Sequence, residues 1–280
     1  MAIKNLMNKS FLTRAISGVL LVAIILLTVI IGADVCFIAI MLASLIGLAE
    51  IYKVVGINAK KLSILGYVGT VVLFIMVRFT GYEHLGMFIV LYTLVILAAY
   101  VFSFPAYKTE EMMMLIFGVI YVSVMMSFVY SVRASESGIY TVWLIFICAW
   151  GCDTCAYLTG VTLGKHKMAP VLSPKKSIEG AVGGVIGAAA IGALYGYIVR
   201  NQVVGIKDTM LVFALISAAG ALISMVGDLA ASAIKRNYGI KDFGKLIPGH
   251  GGILDRFDSI LFTAPVVYYF LVFLGKNYFG

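Results

Sequence analysis

Apolar residues along this chain come in long unbroken runs, and the polar and charged positions gather between them. A helix needs about 20 mostly apolar residues to cross a bilayer, within a range of about 17–25. Nine stretches meet that requirement: residues 13–32, 35–53, 63–80, 86–104, 113–132, 139–163, 181–199, 210–234 and 259–275. They lack the period-two alternation of outer-membrane strands. Backbone polar groups inside a bilayer must be satisfied within the segment itself, so each stretch predicts a helix. No repeat, low-complexity tract or linker-like break interrupts the series.

Composition supports this pattern. With 62% hydrophobic and 12% charged residues, the chain departs from a soluble domain, which is about half apolar and about a quarter charged. The net charge of +8 could suit nucleic acid, but a membrane protein with basic loops accounts for it, and no nucleic-acid partner is expected. With nine spans and an inner N-terminus, sixteen of the 21 Lys and Arg residues fall on the inner side. They include Lys4, Lys9 and Arg14 ahead of the first span. Arg78, Arg133, Arg200, Lys207 and Lys276 fall outside. This is the positive-inside bias. Lys4, Lys9 and Arg14 before Gly18–Gly32 resemble the start of a secretory signal, but no convincing cleavage site follows, so the segment is read as a retained span.

The expected fold is therefore an all-α polytopic membrane protein of the plasma (inner) membrane, with its polar site at the cytoplasmic surface. Residues 1–135 would hold five spans. Residues 136–280 would hold four, with cytoplasmic loops at 164–180 and 235–258. Cys36, Cys148, Cys152 and Cys155 all lie in apolar stretches and read as small buried hydrophobes, despite the Cys-x-x-Cys spacing of the last two.

Carboxylates at membrane depth are costly and mark functional sites by default. Glu50 lies near a helix end, three residues before Lys53, and reads as an ion-paired or snorkelling group. Helical spacing puts Asp228, Ser232 and Lys235 on one face that runs from the bilayer into a basic loop. Asp153 shares a face with Tyr157 and Gly160 near the same membrane surface. Asp228 and Asp153 are candidates for metal or substrate contact.

The two cytoplasmic loops carry the remaining chemistry. Ser173-Pro174-Lys175-Lys176-Ser177 can open a helix whose N–H groups and two lysines suit an anion; a basic loop drawn to anionic lipid heads is the alternative. Pro248-Gly249-His250-Gly251-Gly252 is a sharp turn whose glycines let backbone N–H groups approach a ligand. Asp255 and Asp258 follow at i, i+3 and can face one site if a helix starts there. Oxygen ligands with one His and no Cys suit Mg²⁺ rather than zinc. Lys235, Arg236, Lys241, Lys245 and Arg256 supply charge for several phosphates. His250 could be a general acid or base, or a loop-shaping or phosphate-contacting group. His84 and His166 carry no pattern and read as surface residues. Cations for phosphate, carboxylates for Mg²⁺ and a glycine loop together describe phosphoryl or nucleotidyl transfer, on neither a Walker loop nor a Rossmann turn.

The 27 residues from Ser232 to Asp258 resemble the signature of the phosphatidate cytidylyltransferase (CDP-diacylglycerol synthase) family. That signature reads Ser-x-apolar-Lys-Arg, four residues, Lys-Asp, then Pro-x-His-Gly-Gly and Asp-Arg-x-Asp. Ser232, Lys235, Arg236, Lys241, Asp242, Gly244, Pro248, His250, Gly251, Gly252, Asp255, Arg256 and Asp258 meet it. Asp153 with Ala156-Tyr157-Leu158, and Ser173-Pro-Lys-Lys with Glu179-Gly180, are also similar to the family. Ser177-Ile178 departs from its common Thr-Trp. The resemblance covers roughly residues 150–260.

The resemblance implies an integral membrane enzyme, often a homodimer, that converts CTP and phosphatidate to CDP-diacylglycerol and pyrophosphate with Mg²⁺. Asp228, Asp255 and Asp258 would hold a metal pair. Lys235, Arg236, Lys241 and Lys245 would face the departing pyrophosphate. Asp153, Ser173, Lys175, Lys176, Ser232, Gly249, His250, Gly251, Gly252 and Arg256 would contact substrate. A CTP-dependent lipid or polyprenol kinase, and more distantly a transporter, are the alternatives. A CDP-alcohol phosphotransferase would need an Asp-Gly-x-x-Ala-Arg helix, which the sequence lacks.

Overall fold

The computed structural model describes residues 2–274, with side chains from residue 16 onward. The arrangement is helical, with helices α1 (Ala2–Ile31), α2 (Ala33–Val55), α3 (Ser63–Thr80) and α4 (Leu85–Ser103) in chain order. Next come α5 (Thr109–Ala134) and α6 (Gly138–Leu163). A short hairpin, β1 (Lys167–Ala169) and β2 (Ser173–Ser177), precedes α7 (Ile178–Val199), α8 (Thr209–Asn237) and α9 (Leu254–Leu274). Among the described residues, α2 to α9 are eight helices long and apolar enough to cross a membrane, and Ile16–Ile31 of α1 is a shorter apolar helix. The chain is an integral membrane protein by this measure. Lys4, Lys9, Arg14 and Lys276 lie outside the residues whose side chains are described. The many exposed Leu, Val, Ile and Phe side chains of α2–α4 are where an apolar helix surface meets lipid.

Two compact units share the chain: Met1–Ser127 with Ile240–Phe257, and Phe128–Gly239 with Asp258–Gly280. In the first, Tyr52 is fully buried, and its hydroxyl donates to the Leu115 carbonyl at 3.0 Å. Its ring fills space that β-carbons at Gly66 and Gly118 would need. Thr70 and Ser123 share a hydrogen bond of 2.7 Å. Ser123 sits in a π-helical stretch, Val119–Val124, inside α5.

In the second unit α7 packs against both α6 and α8. Its buried face repeats a small residue every fourth position: Gly180, Gly184, Ala188, Gly192 and Gly196. A β-carbon at Gly184 would stand 3.0 Å from Cys152 Sγ, and one at Gly196 would stand 2.5 Å from the Thr209 carbonyl oxygen. Small residues at that spacing let membrane helices approach backbone to backbone. The cysteines pack as expected: all four are free thiols, three buried and Cys155 partly so.

Candidate functional site

Ser173–Ser177 was expected to open a helix. It forms β2 instead, antiparallel to β1, with Lys167 opposite Ser177 and Ala169 opposite Ser173. Pro174 suits an extended edge strand and disfavours a helical conformation at the residue before it. The helix starts one step later. Ser177 is its N-cap, with Oγ accepting the Gly180 N–H at 3.1 Å. Glu179, in the first turn of α7, accepts the backbone N–H of Lys165 at 3.1 Å and of His166 at 3.2 Å. His166 Nδ1 lies 2.6 Å from the same carboxylate. His166 is a surface residue as expected, but it has this partner.

The strand and helix ends wall a cavity of about 550 Å³ in the second unit, lined by Asp153, Tyr157, Lys167, Ser173, Lys175 and Lys176 among others. That volume suits a small-molecule ligand. Asp153, Tyr157 and Gly160 all line it, as their shared helix face predicted. Lys176 forms an ion pair with Asp228 of α8, each side chain about a quarter exposed. A β-carbon at Gly227 would lie 2.8 Å from Phe262 and 3.0 Å from the Asp258 carbonyl oxygen. Helices α8 and α9 therefore pass closely beside Asp228, at the level of Asp258. Ser232 and Lys235 follow on α8, both partly buried, and Arg236 is exposed.

In the first unit, the loop between α8 and α9 is organised around two carboxylates. Asp255, only 5% exposed, accepts three backbone N–H groups on Oδ2: Phe243 at 2.8 Å, Gly252 at 3.0 Å and Gly244 at 3.4 Å. Glu50 of α2 accepts the next two, Ile253 at 3.0 Å and Leu254 at 2.8 Å. The expected pairing of Glu50 with Lys53 is thereby corrected. Burial of Glu50 faces it toward orphan amides at the start of α9, while Lys53 is exposed. Gly249 and Gly251 have φ of 78° and 85°, the left-handed region that glycine enters without steric cost. The His250 N–H donates to the Ile247 carbonyl, and the Ile247 N–H to that of Gly251. Ser17 donates its hydroxyl hydrogen to the Pro248 carbonyl at 2.9 Å, and its Oγ lies 2.8 Å from His250 Nδ1. With that hydrogen committed, Nδ1 is the donor of the pair.

A model of the cytidylyltransferase family matches residues 12–274. The chain belongs to this family. A phosphatidate cytidylyltransferase of Bacillus subtilis is 30% identical over 266 residues, covering 92% of this chain and 96% of that protein. Proteins of the same name from Haemophilus influenzae and a Synechocystis species are 41% and 42% identical over 49% of this chain. Those matches span about half of each relative's length, 47% and 45%. For a cytidylyltransferase-family chain, the sequence motifs locate the lysines and aspartates above. They omit Glu50, whose one legible signal was a carboxylate inside an apolar span.

Among the described residues, no three or more His, Cys, Asp or Glu side chains gather as a metal centre. Mg²⁺ does not require such a set, since it takes one or two carboxylates and completes its shell with water and substrate phosphates. The oxygen donors Asp228 and Asp258, on helices brought close at Gly227, fit that pattern. Asp255 fits as a carboxylate oriented by backbone N–H groups.

Proposed function

We propose that this chain transfers CMP from CTP to phosphatidate, giving CDP-diacylglycerol and pyrophosphate, at the cytoplasmic surface of the plasma membrane. The observation that carries the reading is the cationic cavity in a membrane-embedded unit, where Lys176 faces Asp228. Family membership and the names of the relatives support the substrates, and the charge bias of the loops supports the orientation. The resemblance adds a homodimer and contact with membrane lipids.

In this reading Lys175, Lys176, Lys167 and Ser173 bind an anionic head group, with Asp153 and Tyr157 at the cavity wall. The amides of Gly249 and Gly251 and the side chains of His250 and Arg256 bind nucleotide phosphates. Asp228, Asp255 and Asp258 are the carboxylates assigned to Mg²⁺, which when bound supplies positive charge against the CTP phosphates. An oxygen of the lipid phosphate attacks the α-phosphorus of CTP. The new P–O bond forms as the bond to the bridging α–β oxygen breaks, and pyrophosphate leaves with that oxygen. Lys235, Arg236, Lys241 and Lys245 offset its charge. The nucleophile is already anionic, so no strong general base is needed. Ser232 stands one helical turn from Asp228 on α8 and completes the polar face.

The test is pyrophosphate release from CTP by purified protein, with and without phosphatidate and Mg²⁺, beside Asp258→Asn. Release that needs both lipid and metal, and is lost in the variant, is the expected result. CDP without pyrophosphate would replace this reading with a lipid kinase.

A further inference from the structure

The glycines of the signature have a reason that lies far earlier in the chain, at Glu50 of α2. A β-carbon at Gly244 or at Gly252 would run into the carboxylate of Glu50. Those two positions are glycine because a buried acid from α2 occupies the space beside them. Three successive amides at the entry to α9 are thus divided between two carboxylates. Gly252 donates to Asp255, and Ile253 and Leu254 donate to Glu50. Asp255 also gathers Phe243 and Gly244, so the chain from 243 to 254 is closed at both ends on carboxylate oxygens. The Pro248–Gly252 turn hangs between those anchor points. Glu50 is 8% exposed, and the Ile253 and Leu254 N–H groups that it accepts are among those a helix start leaves without an intrahelical partner.

We infer that Glu50 is a positioning residue for nucleotide binding. It touches neither substrate, and it sets the conformation of the glycine turn by capping α9 from another helix. The inference rests on the cytidylyl-transfer reading and adds to it a residue outside the signature. A carboxylate accepts both amides, whereas a carboxamide can accept one and must turn N–H groups toward the other. Glu50→Gln, which preserves volume, therefore disturbs the turn without emptying the site.

The experiment uses the purified full-length chain in detergent. CTP and phosphatidate are varied separately for wild type, Glu50→Gln, Glu50→Ala and Lys53→Ala, and hydrogen–deuterium exchange is followed over residues 240–257. Glu50→Gln should raise KM for CTP on the order of tenfold, the loss of about one charged hydrogen bond, with KM for phosphatidate unchanged and exchange faster in 240–257. Glu50→Ala should go further in the same direction, and Lys53→Ala should match wild type. If Glu50→Ala does not fold, Glu50→Gln decides. Wild-type KM for CTP with unchanged exchange in Glu50→Gln overturns the inference. So does a fall in kcat with both KM values unchanged, which marks only a smaller folded fraction. If wild type makes no CDP-lipid, the transfer reading fails by itself, and loop exchange in Glu50→Gln then decides the positioning role alone.

Discussion

The carboxylates that close the loop between α8 and α9 and the one paired with Lys176 beside the cavity are used in opposite ways. In the unit that includes Ile240–Phe257, Glu50 and Asp255 accept backbone N–H groups, five in all. In the unit that includes the cavity, Asp228 meets a lysine side chain. An acid surrounded by amides fixes the course of the backbone, because its partners cannot move without unfolding the turn. An acid paired with a flexible lysine can exchange that partner for another cation when a ligand arrives. The loop between α8 and α9 therefore shows shape built in advance, and the Lys176–Asp228 pair shows charge that can be redistributed.

The largest effect expected from this contrast is at Asp228. Asp228→Asn keeps the volume but removes the charge opposite Lys176, and it should cut the rate of pyrophosphate release by about 10²–10³ with little change in melting temperature. Loss of stability instead of rate would show that Asp228, too, is a structural acid.

Gly252→Ala should behave in the reverse manner. Its β-carbon collides with the Glu50 carboxylate, and overpacking of this kind costs about 1–3 kcal/mol, measurable by thermal unfolding. Adding Glu50→Asp, one methylene shorter, should recover part of that loss, so the two changes will be non-additive in a double-mutant cycle. Additive losses would break the link between the signature glycine and Glu50.

Ser177→Ala removes the N-cap of α7 and should cost about 1 kcal/mol, read in the same unfolding assay. Least of all, Lys175→Ala should weaken substrate binding a few-fold at low salt. Lys175 is exposed, so its contribution should fade as ionic strength approaches about 1 M, where charges are screened within about 3 Å. A salt-independent loss would mean that Lys175 makes a buried contact.

The order of helices was legible because the requirement for about 20 apolar residues acts locally along the chain. Residues 139–163 and 63–80 were read within one residue of Gly138–Leu163 and Ser63–Thr80. Helix α9 begins at Leu254, which places Asp255 and Asp258 in its first turns, as the expected helix start required. The strand at Ser173–Ser177 was not legible. Its extended form depends on pairing with Lys167–Ala169 across a turn, and a basic Ser-Pro-Lys-Lys segment is equally acceptable ahead of a helix start.

The sequence alone determined that the chain lies in a membrane, that its polar residues concentrate in two loops, and which lysines, glycines and aspartates match the family's signature. These properties are sums over neighbouring residues. Only the tertiary structure decided which acid serves which partner. Glu50 stands three residues from a lysine, and by sequence the lysine is the obvious companion. Folding instead brings it to the Ile253 and Leu254 amides. A buried carboxylate must find donors wherever the packing supplies them, and at the start of a helix those donors are backbone N–H groups that every sequence carries and no sequence displays.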